Sequence, residues 1–166
     1  MTNNIMNEKE MFLNSYEKEF ETTLEFLNAY PADKLDFRPK PQLQSAIELA
    51  WYFPEEDRIL ISGALDGEVI LNKNPLPASL DKIKEIYESS HRALLGRIKE
   101  LPDVGFNEMI TFGSGAGNAV SMRRGDALWL AVMDAVHHRG QFSLYIKMAG
   151  GKVPPIYTAS DEEPVK

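Results

Sequence analysis

The sequence predicts an all-α protein, a bundle of about four helices forming one domain over residues 1–166, and three observations carry that prediction. Apolar residues recur at steps of three and four along four separate segments. Prolines and glycines punctuate the chain between those segments. None of the four is apolar all round, so each must bury one stripe against the others.

The first segment places Leu13, Tyr16, Phe20, Leu24 and Leu27 on one face, with Glu17, Lys18 and Glu21 between them. It should end near Tyr30, because Pro31 disfavours helical geometry in the residue before it. PADKLDFRPKPQ then reads as an extended connection. The second pattern runs from about Gln42 to Ala64 through Ala46, Leu49, Phe53 and Leu60, and Pro54 interrupts it. Proline lacks the backbone donor and clashes with the carbonyl of Ala50, so either a kink lies next to Tyr52 or a new helix begins at PEED. A third helix fits from the N-cap Ser79 through Leu80, Ile83, Tyr87, Leu94 and Ile98, ending before Pro102. The helical period then lapses into a long loop over 102–124, where MITF could form a short strand. GSGAGN turns tightly but lacks the GK[ST] ending of a phosphate-binding loop. The last helix runs from about Asp126 to Met148, its seam reading Leu128, Ala131, Ala135, His138, Phe142, Tyr145 and Ala149, with Gly150-Gly151 as its stop. The tail begins with the stiff KVPPIY, which can lie across the bundle, and is expected to be mobile from about 158.

Composition narrows the function. A chain of 166 residues needs no staple to fold, and it has no cysteine, so any metal site must use His, Asp, Glu or Tyr. The net charge of −7, with no basic stripe, argues against nucleic acid as a partner. No long apolar run is present to span a membrane, and MTNNIMNEKEMF does not resemble a secretory signal, so a cytoplasmic location is expected.

Two of the three histidines lie in DAVHHRGQ. Asp134 and His138 are one helical turn apart on the same face, and His138 falls on the apolar seam, where an imidazole needs a partner. Spacing leaves two readings open: a structural Asp134–His138 pair, or two ligands of a metal completed from another helix. Glu56 interrupts the second apolar seam and Tyr52 lies one turn before it, so these two are candidates to complete the shell. Each also has a simpler role, Glu56 as a helix-start charge and Tyr52 as packing. His137, about 100° around the helix from His138, reads as a boundary residue, and His91 as a partly exposed surface histidine. Arg123-Arg124 could meet an anion but more simply pair with acidic neighbours. Ser121 and Ser143 have no base beside them. A second apolar row, Trp129, Val132 and Val136, calls for either deep burial or a homodimer interface.

HHRGQFSLYIKMAGGKVPPIY resembles the last-helix signature of the DinB family, and LDFRPKPQLQSAIELAWYF resembles that family's entry into its second helix. The resemblance implies an up-down-down-up four-helix bundle, often dimeric, with a divalent metal held by one histidine of the second helix and two of the last. His138 matches the final histidine; Asp134 stands at the first, and Tyr52 at the second-helix position. This harder ligand set, for which zinc, nickel and manganese are the candidate ions, should prefer a different metal or bind more weakly than a three-histidine site. The resemblance further implies a thiol-dependent S-transferase or hydrolase acting on a small-molecule substrate; the alternative is a non-catalytic bundle with a degenerate metal site, either binding a small ligand or serving as a structural dimer.

Overall fold

A computed structural model describes residues 6–113 and 119–157, and four helices dominate it. Helix α1 spans Glu8–Ala29 and opens with a capping box, in which the Asn7 side chain accepts from the Glu10 amide while the Glu10 carboxylate accepts from that of Asn7. Helix α2 covers residues 46–66 in consecutive pieces: α-helical Ala46–Ala50 and Tyr52–Glu56, a π-helical turn over Asp57–Ser62, and α-helical Gly63–Asp66. Helix α3 is Leu80–Glu100, capped by Ser79, and α4 is Arg124–Met148, followed by Gly150 at φ 85°.

Three short strands add a small sheet to the expected bundle. β1 (Glu68–Val69) follows α2 and pairs in parallel with β2 (Met109–Phe112), which pairs antiparallel with β3 (Val120–Arg123). Thus MITF is a strand, and the long loop before α4 is largely a hairpin introduced by a 3-10 turn over Asp103–Asn107. Most of GSGAGN and the tail from 158 lie outside the described residues.

Contacts at the sheet end establish the helix directions. Glu8 at the start of α1 pairs with Arg123 just before α4, and Lys9 donates to the carbonyls of Lys99 and Leu101 at the end of α3. The β1–β2 pairing brings the end of α2 to the same place. The four helices therefore run up, down, down and up. Gly63 sits where β1 folds back on α2: a Cβ there would lie 2.9 Å from the Glu68 carbonyl oxygen and the Val69 Cα.

Pro54 neither ends α2 nor begins a helix. The break falls at Trp51, next to Tyr52, and Pro54 sits buried inside the piece that follows. Two apolar clusters fill the bundle, one around Phe26, Phe53 and Phe142, the other around Phe12, Ile98 and Leu128. Along α1 the buried face includes Phe12, Thr22, Thr23 and Phe26, while Leu13 and Leu24 are only half-buried. Thr22 and Thr23 can be buried because their hydroxyls donate to the carbonyls of Lys18 and Glu19. No helix among the described residues is long and apolar enough to cross a membrane.

Candidate metal centre

Between Phe53 and Leu60, α2 carries three consecutive carboxylates, Glu55, Glu56 and Asp57, all buried. Burial of a carboxylate demands donors or a neutralising charge. Glu55 has both: Arg58 grips its two oxygens at 2.8 and 3.0 Å, and the Asn74 backbone and side-chain amides donate at 2.7 and 3.2 Å. Asp57 accepts from the Tyr16 hydroxyl at 2.9 Å. Glu56 differs from both, because neither carboxylate oxygen has a well-formed hydrogen bond.

What faces Glu56 is the inner side of α4. His138 Nε2 lies 3.2 Å from Glu56 Oε1 and 3.7 Å from Asp134 Oδ1. One ligand atom from each of Glu56, Asp134 and His138 lies within 4.8 Å of the others, the one such group of three among the described residues. Burial pushes the Glu56 carboxyl up to about 8, partly opposed by the His138 hydrogen bond and reinforced by Asp134. His138 is raised in turn, first by its hydrogen bond to Glu56, against the cost of burial. The pair therefore retains a proton at neutral pH when nothing else neutralises it.

Gln141 was not anticipated and orients the imidazole. Its Oε1 lies 3.2 Å from His138 Nδ1, and its Nε2 lies 2.9 Å from His137 Nε2. Both contacts are satisfied when Nδ1 of His138 carries the proton and the Gln141 amide donates to His137, which leaves the His138 Nε2 lone pair aimed at the carboxylates. The HHRGQ spacing held this signal, since Gln141 follows His138 by three and His137 by four. Two ionised carboxylates and a neutral imidazole carry a charge of −2, and the buried Glu56 oxygens lack donors, so the set fits a divalent cation.

Tyr52 lies against the imidazole, its ring centroid 4.6 Å from that of His138. His137 is exposed at the margin. His91 is not a surface residue: it is buried, stacked on Phe20 at 3.8 Å and beside Tyr16 at 4.3 Å, and burial lowers its pKa to about 4. Its partners come from α1, out of reach of any local sequence pattern. Arg123 and Arg124 are paired, the first with Glu8 and Asp126, the second with Glu108 and the carbonyls of Ala64 and Gly105. Ser143 donates to the Gly140 carbonyl. Trp129 packs edge-on against Phe12, and Val132 is buried, so part of the second apolar row is consumed within the chain.

The DinB family model matches residues 1–165. The uncharacterized protein YrdA of Bacillus subtilis (strain 168) is 27% identical over 154 residues, covering 92% of this chain and 89% of its own. Among solved structures, a DinB-like protein from Bacillus cereus ATCC 10987 superposes with a TM-score of 0.75 at 24% identity, over 88% of this chain and 95% of that one. The DinB-like protein YjoA of Bacillus subtilis gives 0.71 at 14% identity, over 89% and 98%. The last two likenesses are of fold, whereas the family match spans nearly every residue, from the capped first helix through the HHRGQ segment to the tail: this chain belongs to the DinB family.

Proposed function

We propose that the protein is a metal-dependent enzyme acting on a small molecule, of the thiol-dependent S-transferase or hydrolase type, with the cation held by His138, Asp134 and Glu56. The observation that carries this reading is Glu56, a buried carboxylate without a well-formed hydrogen bond that faces an imidazole and a second carboxylate. Natural cores supply a buried carboxylate with donors, and here the imidazole of His138, 3.2 Å away, is the one basic group in reach among the described residues. A zinc, nickel or manganese ion here would supply Lewis acidity, which activates a thiol or water as the attacking group. Gln141 holds His138 in the tautomer that presents Nε2. Glu56 can take or release a proton near neutral pH when not engaged as a ligand. Tyr52, beside His138, completes the shell or donates a proton to the leaving group.

One observation favours a second reading, in which the bundle binds a small ligand without catalysis. His138 and Glu56 already lie 3.2 Å apart and can satisfy each other by sharing one proton. Metal analysis of tag-free protein separates the two. The enzymatic reading expects about one equivalent of metal in the parent and less than about a tenth in His138→Ala and Glu56→Ala, with partial loss in Asp134→Ala. Equal, substoichiometric metal in all four would leave the second reading standing. The first also includes a homodimer through the outer face of α4, where Met133, Leu144 and Met148 are exposed. Light scattering on the parent and Leu144→Glu tests it, an unchanged monomer mass in both being the contrary result.

A further inference from the structure

Glu56 and Tyr52 also line a cavity of about 270 Å³ whose wall includes no described residue of α4. Its walls are chiefly apolar: Trp51, Tyr52 and Ile59 from α2, and Leu76 from the crossover to α3. The crossover is fixed there. Glu55 and Arg58 hold Asn72 and Asn74 through five hydrogen bonds between 2.7 and 3.3 Å when that of Trp51 Nε1 to the Asn74 carbonyl is included. The wall is thus built before any ligand arrives.

The charges around the cavity are unequal in one respect. Glu48 pairs with Arg38 at 2.9 Å, Glu55 with Arg58 and Glu56 with His138. Lys73, also lining the cavity, has no carboxylate partner among the described residues; its Nζ lies 5.2 Å above the Tyr52 ring. A cation over an aromatic face beside an apolar slot suits a ligand that brings its own negative charge.

We propose that this cavity binds the flat apolar body of a small organic anion, with its carboxylate or similar acidic group against Lys73 and its other end towards Glu56. This names the substrate class of the metal centre and rests on that reading only for what happens at Glu56, not for binding. The side chain of Tyr52, between His138 and the cavity, is then a wall shared by both.

Isothermal titration of chelator-stripped protein with 2-naphthoate and its neutral counterpart 2-naphthamide tests the proposal. The acid should bind once per chain, about three- to tenfold tighter than the amide, and Lys73→Gln should bring the two together. Leu76→Trp, at an exposed position that need not disturb folding, should fill the slot and weaken both probes. Equal affinities in the parent, no effect of Lys73→Gln, undiminished binding to Leu76→Trp, or no binding of either probe would each overturn it. Because the titration is run without metal and repeated with His138→Ala, binding that persists there upholds the cavity even if the metal centre fails.

Discussion

Glu55 and Glu56 are neighbours in sequence and almost equally buried, at 6% and 7% exposure, yet their carboxyl groups are driven in opposite directions. Burial alone would raise both. At Glu55 the Arg58 and Asn74 donors outweigh it, and the pKa falls below the ordinary value. At Glu56 burial prevails, and the pKa climbs to about 8. Donor supply, rather than depth, separates a carboxylate that fastens the fold from one left ready to receive a proton or a cation.

The largest expected effect is on the fastening side. Glu55→Ala removes both hydrogen bonds to Asn74 and the ion pair that positions Arg58 against Asn72, and should destabilise the protein by about 2–4 kcal/mol, whereas Glu56→Gln in metal-free protein should be neutral or stabilising above pH 7. Urea unfolding midpoints measure both, and equal losses would erase the distinction. Next in size is the response to metal. Zinc or manganese at about a hundred times its dissociation constant should stabilise the parent by about 2.7 kcal/mol and leave Glu56→Ala unmoved. Thermal melts at graded metal concentration read this, and parallel shifts in both proteins would place the metal elsewhere.

The smallest effect is the pH dependence of the chelator-treated protein. Glu56 holds a proton between about 4.5 and 8 that the unfolded chain has lost, so its contribution to stability is present at low pH and disappears as the pH rises through that window. His138, also raised, acts in the same direction, lost as the pH climbs through its folded value. Since the two share a proton, stability should fall by about 1–2 kcal/mol more between pH 5.5 and 8.5 in the parent than in Glu56→Gln. Asp57, lifted to about 7 by burial, adds a similar fall, and His91, lowered to about 4, opposes it below its ordinary value. Both are common to the two proteins and cancel in the difference. A steeper fall in Glu56→Gln would reverse the assignment.

Much of this was readable from residues close in sequence. The Ser79 cap, the stop before Pro102 and the Asp134–His138 spacing are local, and each element formed where its signal lay. Glu56 could be singled out because it broke an apolar seam. What was lost depends on partners brought from afar. The burial of His91 needs Phe20 and Tyr16, and Arg139 is buried because Glu19, Thr23 and Tyr157 surround it from α1 and the tail. A few misses were local and avoidable. Ser45 and Glu48 form a capping box that sets the start of α2 at Ala46, four residues after Gln42, and Gln141 lay within the HHRGQ run. The π-helical turn after Pro54 had no local signature of its own.

The parallel pairing of β1 with β2 constrains how the chain assembles. Glu68 meets Thr111, 43 positions later (111 − 68), whereas β2 and β3 belong to one hairpin. The wide loop costs more entropy to close, and its reward arrives only once α3 has been laid down. In pulse-labelled hydrogen exchange during refolding, the amides of Thr111 and Gly113, which donate to the Gly67 and Val69 carbonyls, should gain protection after those facing β3. The 109–123 hairpin would thus close upon itself before fastening the end of the second helix.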